Sequence, residues 1–533
     1  MQLTRLFAAA LLTLGSGLSL GLGFGSGLAQ AQTVTLKWGA QNDIVTMDPH
    51  AQAHSTTFGI LAHAYDSLIR LDAKFELEPS LATKWTYLSP TQVRFDLRKG
   101  VKFHDDSAFT ADDVVFSYGR MMQPQGQLQL FLAGIKEVKK VDDSTVDFLL
   151  SAPTPLLLSN LVGFRIMSKS WAEQNKTTNV QDYKNKEVTF ASRNANGTGP
   201  YRITSWQPDQ KITMTRHRDW WDKATGNVTD VVYTPIGSDP TRVAALLSGE
   251  LDMLTDLPTQ DVARLRSEPK IKMMEGNEIR SMFFGLDQFS EELKYSDVKG
   301  KNPFKDKRVR EALSIAVDRE QIKRSVMRGL SVPAGIILAP GVNGHSADID
   351  VPPKTDPDRA KKLLAEAGYP NGFEFQLTCS NNRYVNDAEI CQAVAAMWAR
   401  VGIRVKPVSE PFAVVFPKIQ NFDSSAYLLG WGGVLDAQVV LQPLVRTRTT
   451  GADGSANFTR ISDPTIDRLV DAMKIESDVA KRNAMIREAL VRVRDEVLYI
   501  PLHHQVRPWA MKPSVETVYR VNDQPEARFV TIK

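Results

Sequence analysis

The chain has 533 residues, of which 42% are hydrophobic, so it is long enough for two or three domains with substantial cores. Its formal net charge is +4, and the basic residues are spread along the chain without a basic arm or tract. This distribution excludes the usual electrostatic footprint of a nucleic-acid-binding protein, and we expect no nucleic-acid partner.

Residues 1–31 have the organisation of a secretory signal peptide. Arg5 supplies a basic start, residues 6–29 are uncharged and mostly apolar, and Ala29 and Ala31 are the small residues expected before a cleavage site. We therefore predict cleavage after Ala31 and a periplasmic mature protein. The alternative is a retained membrane anchor, because the apolar run is long enough to span a bilayer, but its many glycines and the cleavage motif favour a signal peptide.

Strand and helix patterns alternate in the first half of the mature chain. Residues 34–38 alternate like a strand, and residues 55–72 carry an apolar stripe with helical spacing. Residues 84–103 predict a β-hairpin around Ser89-Pro90, and Thr110 then begins a helix. Residues 196–221 alternate again, which indicates that the chain re-enters a β-containing domain near residue 190.

The second half consists of successive helix-to-strand units, which indicates an α/β protein. The apolar stripe of residues 306–322 predicts a strongly amphipathic helix, and Asp356 is predicted to cap another helix that leads into a strand at 373–377. Asn386, with Glu389 three residues later, is predicted to cap a third helix through a capping box. Helices after Asp463 and Asp478 then precede a strand at 497–506.

A search of the sequence for catalytic and nucleotide-binding motifs gives no evidence that the protein is an enzyme. The only G-x-S-x-G sequence, at 17–21, falls inside the predicted signal peptide, so it cannot supply a nucleophile to the mature protein. No P-loop and no G-x-G-x-x-G sequence is present. We predict no catalytic residues and no cofactor.

The eight histidines give no clear metal-ligand pattern. His50, His54 and His63 would converge only on a continuous helix, which the Pro49 turn argues against. His503 and His504 are neighbours on a predicted strand and point to opposite faces. We therefore predict no metal site.

Cys379 and Cys391 are the only cysteines, and no histidine or CxxC motif accompanies them. In an exported protein a disulfide and two buried free thiols are the remaining interpretations, and we predict the disulfide. The polar loop between them joins a strand to a helix, at the end of the strand where α/β folds place ligand sites. A disulfide would hold Arg383 and Tyr384 of this loop in position.

Five blocks, in order and spacing, resemble the extracellular solute-binding proteins of family 5, the peptide-binding components of ABC importers. The blocks are residues 77–117, 197–206, 242–253, 306–322 and 356–377. The resemblance covers essentially the whole mature chain. It implies an α/β, two-lobed periplasmic binding protein fold of the class with an extra domain, which encloses its ligand between the lobes. Such proteins close around ligand by a hinge motion.

The resemblance also implies a domain layout and a set of partners. The first lobe has a core domain in three parts and an extra domain. The predicted segments are 1–31 signal peptide, 32–75 core of lobe 1, 76–190 extra domain, 191–280 core of lobe 1, 281–504 lobe 2, and 505–533 core of lobe 1. The partners would be the solute and an inner-membrane permease with a separate ATPase, and we expect a monomer.

By the same resemblance, Arg383 occupies the position where peptide binders of the family clamp a ligand carboxylate. Tyr384 and Asn386 belong to this loop, although the tyrosine is displaced by one residue from the family pattern. The alternative for Arg383 is a solvated surface arginine. A guanidinium suits a carboxylate because it pairs with both oxygens.

A second landmark of the family is a Gly-Trp pair followed, three residues after the tryptophan, by an aspartate that binds the peptide amino terminus. Here Gly430 and Trp431 are present, but Val434 takes the place of the aspartate. Either Asp436 substitutes for it, or the ligand has no free ammonium. Trp431 is predicted to line the cleft, with a place in the core as the alternative.

These features predict a binding protein for a small peptide or peptide-like solute that carries a carboxylate. A non-peptide solute, such as an opine, a sugar or chelated nickel, is the alternative within the family. A secreted hydrolase and a periplasmic chaperone are the alternatives outside it. The chaperone would need an exposed apolar surface in place of an enclosed cleft.

Overall fold

The computed structural model describes residues 33–432 and 435–533. The predicted signal peptide and the Gly433-Val434 pair lie outside these residues, so cleavage after Ala31 stays a prediction. Across the described ranges, no helix combines the length and the apolar character needed to cross a membrane.

Nineteen strands form within the described residues. They are β1 Thr35–Ala40, β2 Ile69–Leu71, β3 Leu77–Pro79, β4 Ala82–Ser89, β5 Gln92–Leu97, β6 Ile135–Asp142, β7 Thr145–Leu150, β8 Tyr201–Gln207, β9 Lys211–Arg216, β10 Asp230–Pro235, β11 Met253–Leu254, β12 Lys272–Leu286, β13 Ser331–Pro333, β14 Glu374–Ser380, β15 Arg404–Glu410, β16 Ala426–Gly432, β17 Ile500–Met511, β18 Val515–Glu516 and β19 Thr531–Ile532.

The same ranges contain fourteen α-helices. They are α1 Ser55–Leu61, α2 Ala111–Met121, α3 Leu157–Asn160, α4 Lys169–Gln174, α5 Asp239–Leu247, α6 Thr259–Arg266, α7 Lys307–Ile315, α8 Arg319–Gln321, α9 Pro357–Glu366, α10 Asp387–Ala399, α11 Phe412–Gln420, α12 Gln438–Leu444, α13 Pro464–Met473 and α14 Val479–Asp495.

One mixed sheet runs through the molecule in the order β15-β14-β16-β12-β17-β11-β1-β10-β9-β8, and β13 pairs with β17 at its side. The long antiparallel pair of β12 and β17 forms its centre. The register of this pair shifts between Asn277 and Ser281. On one side of the shift β17 neighbours β11, and on the other side β12 neighbours β16. The chain therefore passes between the two halves of the sheet on these two strands.

We call residues 34–280 with 505–533 lobe 1, and residues 281–504 lobe 2. In lobe 2 the central strands are covered by helices on both faces. Phe284 of β12 packs in a cluster with α7, α9 and α10, whereas the adjacent Phe283 packs in a second cluster with α12, α13 and α14. Neighbouring residues of a strand point to opposite faces, so this alternation builds a three-layer α/β/α lobe.

Lobe 1 contains two large separate cores and two smaller hydrophobic clusters. The strand order β4-β5-β7-β6 forms a small antiparallel sheet that packs on α2 in one cluster. A second cluster joins β1, β9 and β10 with residues near the C-terminus, including Trp509 and Val530. The predicted segment boundaries stay predictions.

The predicted hairpin is present as β4 and β5, and the helices predicted after Asp356, Asp463 and Asp478 are present as α9, α13 and α14. The helix predicted over residues 55–72 was wrong beyond Leu61, where α1 ends. His63 and Ala64 instead accept backbone hydrogen bonds from Tyr201 and Gly199, at 2.9 and 3.0 Å. This pairing with a distant segment overrides the local helical periodicity.

Candidate ligand-binding cleft

The loop that joins β14 to α10 carries three of the predicted site residues and is anchored at both ends. Cys379 of β14 and Cys391 of α10 form a disulfide with their Cα atoms 6.7 Å apart, which confirms the predicted pairing. Between them, the buried carboxylate of Asp387 accepts hydrogen bonds from Ser380 Oγ at 2.6 Å and from the backbone N–H of Arg383 at 3.1 Å. The covalent bridge and the carboxylate therefore hold the loop backbone in place.

Arg383 presents its side chain from this loop. The side chain is exposed, and among the described residues its guanidinium has no hydrogen bond or ion pair. It stands over the rings of Tyr384 and Phe412, at 5.3 and 5.6 Å from their centroids. Burial lowers the pKa of His54, and the positive charge of Arg383 lowers it further. Because His54 begins α1 in lobe 1, the cation of Arg383 faces the opposite lobe.

Tyr384 lies between this loop and β16. Its hydroxyl donates to the carbonyl of Gly430 at 3.3 Å, and its ring packs edge-on to Phe412 with centroids 6.3 Å apart. A Cβ at residue 430 would lie 2.9 Å from the ring of Tyr384 and 2.5 Å from Met282 Sδ, so only glycine fits there. The adjacent Trp431 is half-buried and donates its indole N–H to Val439 O at 2.9 Å. Tyr384 and Gly430 thus pack against each other, while ligand contacts by Tyr384, Gly430 and Trp431 stay predictions.

Asn386 contacts lobe 1 instead of capping α10, so the predicted capping box was wrong. Its backbone has a φ of +53°, in the left-handed region, and its side chain makes no capping hydrogen bond. The side-chain amide donates to Thr259 Oγ1 at 3.0 Å and to Val326 O at 2.8 Å. Thr259 belongs to α6, so Asn386 links the lobes. Its role as a ligand contact stays a prediction.

Asp436 is engaged inside lobe 2. Arg482 donates to both of its carboxylate oxygens at 2.6 and 2.7 Å, and Asn343 donates to one of them at 2.7 Å. The side chains of Asp436 and Arg482 are only 7% and 6% exposed. A carboxylate that is buried and fully paired has little capacity left for a ligand ammonium, which argues against the substitution for Val434. Val434 itself lies outside the described residues.

A large cavity opens between the two lobes beside this ion pair. Its volume is about 1180 Å³. Lobe 1 contributes Phe75 of its predicted core segment together with Tyr87 and Pro155 of the predicted extra domain, and lobe 2 contributes residues around Asn343 and Arg482. Phe75 also packs against the lobe 2 core, so the lobes touch at this edge.

The three early histidines each have a separate partner, so they do not converge on one point. His50 Nε2 lies 2.8 Å from Arg165 O, His54 bonds within the first turn of α1, and His63 Nε2 accepts from Ala527 N at 3.0 Å. Phe75 in the cavity, Phe412 beside Arg383 and Thr259 against Asn386 were not predicted from the sequence. No motif marks these residues, since each reaches its neighbours only through the packing of separate elements.

Comparison with known proteins assigns the family. The model for bacterial extracellular solute-binding proteins, family 5 Middle, matches residues 76–452. The chain is 29% identical over 468 residues to heme-binding protein A of Haemophilus influenzae, covering 83% of this chain and 81% of that one. It is 25% identical over 520 residues to the dipeptide-binding protein of Escherichia coli, covering 90% and 93%.

The fold is also shared with solved structures. The structure of HbpA2 from Haemophilus parasuis aligns with a TM-score of 0.79 and 24% identity, covering 94% of this chain and 100% of that one. This likeness confirms the predicted two-lobed α/β binding-protein fold. Together with the match over residues 76–452, it shows that the chain belongs to the bacterial extracellular solute-binding proteins of family 5.

Proposed function

We propose that this protein is the periplasmic receptor of an ABC importer and binds a small peptide or peptide-like solute through a carboxylate. Arg383 carries the proposal, because it is an exposed cation on an anchored loop, turned toward the opposite lobe. A guanidinium without a protein partner is suited to a ligand carboxylate, which it can bind through two parallel hydrogen bonds. The similarity to the dipeptide-binding protein of Escherichia coli supports a small peptide as the solute.

The other proposed properties follow from the family. Lobe closure would bury the solute, and the closed form would be presented to a membrane permease with its own ATPase. We infer a monomer without catalytic activity, exported with a signal peptide that is cleaved after Ala31. Intact mass of the periplasmic protein tests the cleavage, and a mass that retains residues 1–31 would contradict it.

The carboxylate clamp is tested by calorimetry. Native mass spectrometry of the purified protein identifies a co-purified solute, and a panel of dipeptides serves as the second probe. Arg383→Ala should weaken binding by roughly thirty-fold to several thousand-fold, because truncating one partner of a buried charge pair typically costs about 2–5 kcal/mol. Arg383→Lys should recover part of this loss, since it keeps the charge without the planar fork.

Arg400 provides the matched control, because it is an exposed arginine at the opposite end of α10. Arg400→Ala should bind as the unchanged protein does. Equal affinity in Arg383→Ala would contradict the clamp and would favour a neutral solute or another anchoring residue.

Heme is a second candidate solute, favoured by the relative named heme-binding protein A. Its two carboxylates could pair with the same guanidinium. Visible absorption after addition of hemin separates the candidates, since a saturable shifted Soret band appears only if heme binds. Dipeptide binding without that band would exclude heme.

A further inference from the structure

A cluster of two histidines and an aspartate lies in lobe 2 beside the cavity. His345 Nε2 and His504 Nε2 both approach the same carboxylate oxygen of Asp350, at 2.9 and 2.8 Å. The three donor atoms all lie within 4.8 Å of one another. His504 is fully buried, whereas the His345 and Asp350 side chains are 14% and 7% exposed.

Two of the three residues, His504 and Asp350, are fixed from outside the cluster by further hydrogen bonds. His504 Nδ1 lies 2.8 Å from Ser281 Oγ. The other oxygen of Asp350 accepts from the backbone N–H groups of Gly335 and Ile336, at 2.7 and 3.1 Å. Metal-binding proteins orient their ligands in this way, because a partner on the far ring nitrogen leaves the near one for the metal.

The spacing of the donor atoms suits a metal ion. Two ligand atoms that each lie about 2.1 Å from a metal are about 3.0 Å apart at right angles and about 3.4 Å apart in a tetrahedral site. The two nitrogen-to-oxygen distances of 2.9 and 2.8 Å are close to the right-angle value, and a tetrahedral ion such as Zn²⁺ would need the side chains to separate by about 0.5 Å.

We propose that His345, Asp350 and His504 form a binding site for a divalent transition-metal ion such as Zn²⁺, Ni²⁺ or Co²⁺. Imidazole nitrogen is a preferred ligand of these ions, and one carboxylate completes a three-residue set. His345 lines the large cavity between the lobes, so the ion is reached from that side. An ion held there would have room on the His345 side for water or for donor atoms of a solute.

The site is tested with the metal alone, on tag-free, chelator-treated full-length mature protein. Zn²⁺ calorimetry should give one ion per chain, and Co²⁺ should give the visible absorption bands of a protein-bound ion. His345→Gln should lower the affinity at least tenfold, because it removes a ligand. Ser281→Ala keeps all three ligands and should weaken binding by about 10–100-fold, as losses of outer-shell partners do.

Asp348→Asn is the matched control, since Asp348 is an exposed carboxylate of the same loop that pairs with Arg487. It should bind metal as the unchanged protein does. Less than one ion per chain in the unchanged protein, or equal affinity in His345→Gln, would overturn the proposal. The titration needs no organic solute and none of its ligands is Arg383, so it stands or fails separately from the carboxylate clamp.

Discussion

Replacement of Asp436 by alanine separates a structural carboxylate from a ligand-binding one. The change removes two hydrogen bonds from Arg482, one from Asn343 and one from the backbone N–H of Gln438. It leaves the guanidinium of Arg482 buried without its counter-ion, at 6% side-chain exposure. Breaking such a pair typically costs about 3–5 kcal/mol, and we expect a loss of this size in the free energy of unfolding.

The assay is equilibrium urea unfolding followed by circular dichroism, in the absence of solute. The double variant Asp436→Ala with Arg482→Met should recover part of the loss, because it also removes the uncompensated cation. The exposed Asp348→Asn variant serves as the control and should leave the unfolding curve nearly unchanged, since exposed ion pairs contribute little.

We expect Asp436→Ala to lose stability and to keep near-normal solute affinity in the fraction of protein that remains folded. A stability loss below about 1 kcal/mol, combined with abolished solute binding, would refute it. That result would support the alternative that Asp436 binds the ammonium group of the solute.

Three further predictions concern the loop that carries Arg383. Replacing Cys379 and Cys391 together by serine should lower the free energy of unfolding by roughly 3 kcal/mol in the chain-entropy model, measured by urea unfolding; full stability of the variant would argue against the bridge as a stabilising element. In NMR titrations of His54, Arg383→Ala should raise the histidine pKa, because a nearby positive charge no longer opposes protonation; an unchanged pKa would place Arg383 away from lobe 1. Asn386→Gly keeps the left-handed backbone but loses the side-chain hydrogen bond to lobe 1. Small-angle X-ray scattering of the ligand-free variant should therefore show a larger radius of gyration. Identical scattering curves would contradict a link between the lobes at this residue.

Local rules determined much of the secondary structure of this protein. Asp356 followed by Pro357 specifies a helix start wherever it occurs, and the side chain of Asp356 accepts from Arg359 N at 2.9 Å as expected. The hairpin around Ser89-Pro90 likewise depends on neighbours in sequence. The disulfide was predictable because an exported chain with two cysteines has one possible intramolecular pairing.

Tertiary structure decided the features that depend on residues far apart in sequence. Asn386 has the residue type and spacing of a helix cap, yet its side-chain amide forms hydrogen bonds with Thr259, which lies 127 positions away. The helix predicted over residues 55–72 ends at Leu61, and the carbonyl groups of His63 and Ala64 accept hydrogen bonds from a segment that is distant in sequence.

The sequence by itself therefore determined the family, the order of elements and the anchored loop with its arginine. It did not determine which charges are already paired or which histidines meet. His345 and His504 are 159 positions apart along the numbered chain, and only the fold brings both onto Asp350. The pairing of Asp436 with Arg482 has the same origin, because the distance between two side chains is set by packing and not by their spacing in sequence.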